Sequence, residues 1–68
     1  METNLNILSK TARDKKDLFL LARSSGADFD TLSRLANEYT AAIAAWHKIR
    51  FPGKRYNKPS AGYLIRAL

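Results

Sequence analysis

Through the middle of the chain, apolar residues return every three or four positions. Leu32, Leu35, Tyr39, Ile43, Trp46 and Ile49 keep this spacing, which holds them on one side of a helix that turns about 100° per residue. The pattern predicts one long amphipathic helix from Asp28 to Arg50 with these six side chains facing the core. Asp28 or Asp30 caps its start, because a carboxylate there accepts from free backbone N–H groups and faces the positive end of the helix dipole. Pro52 and Gly53 end it. The opposite side carries Ser33, Arg34, Asn37, Ala41, Ala44, Ala45 and Lys48, and the three alanines would let another surface approach closely.

A second helical pattern runs from Ser9 to Ser24, with Ser9 or Asp14 as candidate caps and Gly26 as the stop. Its centre, DLFLLA, is apolar nearly all round. Leu18, Leu21 and Ala22 share a face while Phe19 and Leu20 reach others, so the helix either lies between neighbours or contributes to a dimer contact. Upstream, Leu5, Leu8 and Ala12 continue the spacing, and residues 1–8 are either an extension of this helix or a frayed arm. After Phe51, PGKRYNKP has the composition of a loop, and Lys58 is pushed towards extended backbone by Pro59. Ala61, Leu64, Ile65 and Leu68 then predict a last helix over Pro59 to Ala67, starting at Pro59 or Ser60. It is too short to stand alone and must dock on the other two. With no strand pattern and no repeat, the expectation is a single all-α domain of three helices around one long central helix.

LARSSGADFDTLSRLA, from Leu21 to Ala36, resembles the helix-turn-helix pattern of many bacterial DNA-binding domains. Ala22, Gly26, Leu32 and Leu35 fall where that pattern has a small residue, a turn glycine and two packing residues, and Thr31-Leu32-Ser33-Arg34 is similar to the start of a recognition helix. The chain departs from it at Ser25, where an apolar residue is usual, and at Asp28 and Asp30, which bring negative charge towards phosphates. A shifted register, Leu35 to Ile49, also matches, with Thr40 at the glycine position. That register needs a turn near Tyr39 to Ala41, which would shift the phase of the apolar stripe. The stripe holds its phase, so one unbroken helix is expected there. The resemblance implies DNA binding, with Ser33 and Arg34 among the contacts.

Charge sharpens the functional picture. The formal net charge is +6, yet residues 1–45 hold as many acidic as basic side chains. The whole excess lies beyond Ala45, where Lys48, Arg50, Lys54, Arg55, Lys58 and Arg66 have no acidic neighbour in sequence and are interleaved with Trp46, Phe51, Tyr56 and Tyr63. A polyanion is the natural partner for such a segment. At 68 residues a single core supplies only a few kcal/mol, so a homodimer or a bound ligand is a further source of stability. The chain has no cysteine, which removes disulfides and thiolate metal sites and suits a reducing cytoplasm. Met1-Glu2-Thr3 is acidic where an export signal would be basic, and the apolar runs are too short to span a bilayer.

Little in the chain supports catalysis. His47 is the only histidine, and one imidazole without cysteine or clustered carboxylates makes neither a metal site nor a nucleophile–base pair. No glycine-rich phosphate loop is present, so no enzyme activity, metal or cofactor is expected. Trp46 falls in the stripe and is assigned to the core. Tyr56, between Arg55 and Asn57, either stacks on a base or folds back over the core. The expectation is therefore a small basic protein that binds nucleic acid, DNA ahead of RNA, through Arg34, Lys48, Arg50, Lys54, Arg55, Tyr56 and Lys58. The alternative is a protein-interaction module or inhibitor of the phage or plasmid type that sets this basic surface against an acidic protein.

Overall fold

The computed structural model describes residues 4–68. Three helices follow one another: α1 (Asn4–Ser24), α2 (Phe29–Arg50) and α3 (Ala61–Ala67). The domain is all-α, as its periodicities predict. The region upstream of Ser9 takes the helical alternative from Asn4 onward, so Ser9 and Asp14 lie inside α1 and cap nothing. At 21 and 22 residues, α1 and α2 are near equals, and the central helix has a partner of its own length.

Local chemistry fixes each helix end. Gly26 adopts φ 80°, a left-handed conformation open to glycine without a Cβ penalty. The Gly26 N–H donates to the Arg23 carbonyl at 3.2 Å and the Ala27 N–H to the Ala22 carbonyl at 3.0 Å, which satisfies carbonyls that the end of α1 leaves free. Two residues later Asp28 caps α2, its carboxylate accepting from the Thr31 N–H at 2.9 Å. Ser60, with no help from Pro59, caps α3 through the Tyr63 N–H at 3.2 Å. Helix α2 runs without interruption through Tyr39 to Ala41, which removes the turn required by the shifted helix-turn-helix register.

Lys15 and Glu38 meet at 2.8 Å, and Ala12 and Lys16 share a cleft with Tyr39, Ile43 and Trp46. Residues 12–16 of α1 thus face the middle and later turns of α2, while Phe19, further on in α1, packs with Leu32 and Ala36 near the start of α2, which makes the pair an antiparallel hairpin. Helix α3 closes over α2 and brings Leu64 against Phe19, Leu32 and Ala36. These four are the buried apolar core. The radius of gyration is 12.7 Å and the smallest extent 16 Å, whereas a compact chain of this length has a radius near 11 Å. Three helices in so thin a layer can hide few side chains completely.

The buried side of α2 differs from the expected one. Its deepest residues are Leu32, Ala36 and Thr40, a seam four residues apart that is rotated by roughly 70° from the centre of the apolar stripe. Small side chains permit this. Ala36 and Thr40 let neighbouring elements come close, and the Thr40 hydroxyl, on a residue only 1% exposed, donates to the Asn37 carbonyl at 3.1 Å so that its burial leaves no orphan group. Leu35, Tyr39, Ile43 and Trp46 become half-buried flanks. Ile49, placed in the core by its spacing, is 47% exposed, because two successive steps of three carry a side chain back by about 60° each. On the far side Ala41 and Ala45 are exposed as expected, while Ser33 and Ala44 are partly covered.

Helix α1 also reverses its expected faces. Phe19 is fully buried and Leu20 and Ala22 pack beside it, while Leu18 and Leu21 face outward, Leu21 at 66% exposure. A helix apolar on all sides carries no phase information, so packing against α2 and α3 makes the choice.

Candidate nucleic-acid interface

The last turn of α2 and the loop behind it gather most of the residues singled out by charge. Phe51 is the pivot. Its N–H donates to the His47 carbonyl at 2.8 Å, which ties the residue back onto the helix and lays its ring against the final turn. Trp46 meets that ring edge-on with centroids 5.9 Å apart, His47 lies tilted against it at 5.2 Å, and the Arg50 guanidinium sits 4.9 Å from its centre. Offset and edge-on aromatic pairs and a cation over a ring are attractive arrangements of ring quadrupoles.

The chain then reverses. The Lys54 N–H donates to the Phe51 carbonyl at 3.1 Å, and Gly53 takes φ 83°, so Phe51-Pro52-Gly53-Lys54 forms a tight turn with proline and a left-handed glycine at the positions that suit them. This turn sends the basic loop back along α2. Tyr56 consequently lands on His47, with ring centroids 5.4 Å apart. Burial, and then the nearby Tyr39 phenol, hold its proton above the ordinary tyrosine range. Of the two readings of Tyr56, its geometry in the free protein is the folded-back one.

Lys48, Arg50, Lys54, Arg55 and Lys58 are all exposed. The one salt bridge among the described residues, Lys15 to Glu38, lies elsewhere, so none of these five cations is neutralised by a carboxylate. Part of the charge on α2 has a structural use, since Lys48 and Arg50 stand in its last turn where cations complement the helix dipole. Lys54, Arg55 and Lys58 have no such use.

Arg34 stands apart from this group. Fourteen residues separate it from Lys48, about 21 Å along the helix axis. Its neighbours are acidic: the Arg34 charge helps lower the protons of Asp28 and Glu38, after the larger effects of the Thr31 hydrogen bonds on Asp28 and of Lys15 on Glu38. Ser33, its companion in the helix-turn-helix resemblance, is partly covered. Trp46 and Phe51, by contrast, belong to the cluster. Trp46 is half-buried in place of the core position expected for it, and Phe51 is 37% exposed. The i, i+4 relation of His47 and Phe51 was the sequence signal for their contact.

Among the described residues, no three His, Cys, Asp or Glu side chains come together in a metal-binding arrangement, and no helix is long and apolar enough to cross a membrane. No protein-family model matches the chain, nor does any curated protein or any solved structure.

Proposed function

We propose that this is a small nucleic-acid-binding protein, DNA ahead of RNA, that holds phosphates with Lys48, Arg50, Lys54, Arg55 and Lys58. One observation carries the reading: five exposed cations, with no acidic partner among the described residues, lie along the segment that holds an aromatic cluster at one end of α2, Arg50 directly over its Phe51 ring. Lys and Arg contacts to phosphate release condensed counterions, which makes affinity strong at low salt and indifferent to sequence. The aromatic residues add a surface on which a ring can lie. Arg34 and Ser33 would join the contacts in the helix-turn-helix reading, at the opposite end of α2. A cytoplasmic setting suits a chain without cysteine. Titration of duplex DNA, single-stranded DNA and RNA at two salt concentrations tests the proposal, and binding to none of them rejects it.

A second reading has its own support. Leu18, Leu21 and Phe29 are large and exposed around the link between α1 and α2, and solvent-facing apolar residues of this size favour a protein contact. In that reading the chain is an interaction module or inhibitor whose basic end meets an acidic protein, or a homodimer joined through these side chains. Failure to bind any nucleic acid together with self-association at micromolar concentration would favour it.

A further inference from the structure

The antiparallel hairpin encloses an open cleft of about 280 Å³, lined by Ala12, Arg13 and Lys16 from α1 and by Tyr39, Ile43 and Trp46 from α2. Its floor is apolar and aromatic. Ile43 lies between the Tyr39 phenol and the Trp46 indole along the helix, so a flat ring resting there meets an aromatic group towards either end. The rim is cationic: Arg13 and Lys16 are one turn apart on α1, and the salt bridge among the described residues, Lys15 to Glu38, involves neither. Drug-sized sites occupy about 300 to 1,000 Å³. This cleft falls just short of that range and has room for one base with its sugar.

We propose that the cleft receives a base of single-stranded nucleic acid, with Arg13 and Lys16 holding the adjoining phosphate. The proposal rests on the nucleic-acid reading above and names the form of strand involved. Two observations favour this occupant over an acidic peptide. The floor is continuous with the C-terminal cluster, since Trp46 lines the cleft and also packs edge-on against Phe51, while Tyr39 lies near enough to Tyr56 to affect its titration. Aromatic surfaces and cations therefore alternate from Arg13 and Lys16, across Tyr39 and Trp46, to Arg50 over Phe51. Such alternation matches a single strand, which presents a ring and a phosphate at every nucleotide. A duplex keeps its bases stacked, and placing one in the cleft would cost its unpairing and unstacking.

Trp46 is the only tryptophan and so reports directly on its own site. The full chain is titrated with an oligothymidylate about eight nucleotides long, within the span covered by small single-strand binders, and with a duplex of equal length. The strand is expected to quench Trp46 emission more deeply than the duplex, because only an unpaired base reaches the cleft while either form can touch the Phe51 side of the indole. Ala12→Leu, which fills the cleft, and the double change Arg13→Gln with Lys16→Gln should each lower single-strand affinity about tenfold at unchanged helical circular dichroism. If Ala12→Leu disturbs folding, the double variant on the rim carries the test. An oligonucleotide that binds without changing Trp46 emission, or that binds the double variant as it binds the parent, overturns the cleft site and leaves the general reading in place. No binding of either form overturns both.

Discussion

Between Leu32 and Thr40, α2 buries an aliphatic side chain, an alanine and a threonine among Phe19 and Leu64; between Trp46 and Phe51, the same line of chain turns an indole, an imidazole, cations and a phenyl ring partly towards solvent. The residues do not predict that division. The large apolar side chains are at the exposed end and the small ones at the buried end. What differs is the company. Helix α3 joins α1 on the first half of α2, where Ala36 and Thr40 lie in the seam, while the second half has α1 across an open cleft and a polar loop that contributes one ring, Tyr56. Burial here follows how near a neighbour can come, and the sites left open by large side chains become surface.

The largest effect is expected at the buried end. Phe19 is fully enclosed, and Phe19→Ala should cost about 3 to 5 kcal/mol, as much as a domain of this size commonly has. Denaturant titration followed by circular dichroism should find the variant largely unfolded. A loss below about 1 kcal/mol would place the core elsewhere.

Trp46→Ala removes a larger side chain from the open end, yet should cost only about 1 to 2 kcal/mol, since the indole is half-covered and loses chiefly its packing on Phe51 and the cleft. If it destabilised the fold as much as Phe19→Ala, the two ends of α2 would not differ and the contrast would fail.

The smallest effect concerns acid. Asp28 and Glu38 release their protons more readily in the folded protein than at their ordinary values of 3.8 and 4.5, Asp28 because of Thr31 and Glu38 because of Lys15. A lowered folded pKa means that ionisation favours folding. The contribution is complete above the unfolded values and is lost as pH falls through them and then through the folded ones. The urea midpoint should therefore decline from about pH 5 downward, and less so in Asp28→Asn, which keeps a capping side chain without the charge. A profile equally steep in that variant would assign the acid sensitivity to other groups. Both acids lie in the charge-balanced part of the chain, so the basic end should not shape this curve.

Four helix ends were legible because their causes are local: a left-handed glycine at Gly26, a carboxylate at Asp28, proline and glycine at Pro52 and Gly53, and a hydroxyl at Ser60; the start of α1 was not, since Ser9 and Asp14 lie inside the helix. The uninterrupted course of α2 was legible too, from the phase of its stripe. Which face goes inward was not. It depends on where α3 returns after the loop, and Ala36 and Thr40 carry no periodic signal that marks them as a seam. Leu18 and Leu21 misled because DLFLLA is apolar in every direction, so only packing could select Phe19. At the candidate interface the exposed cations stand out in sequence as a run without acids. The fold of Tyr56 onto His47 does not, since it follows from the reversal at Pro52 and Gly53.

If the charge at the open end of α2 meets phosphate, binding must weaken with salt in proportion to the number of contacts made. With four to six cations in reach, the log–log slope of duplex DNA affinity against salt should be about −4 to −5. Changing Lys54, Arg55 and Lys58 together to alanine should make it shallower by roughly one unit per lost contact, with little change in folding. A triple variant that binds every nucleic acid as well as the parent, with the same slope, would contradict the claim.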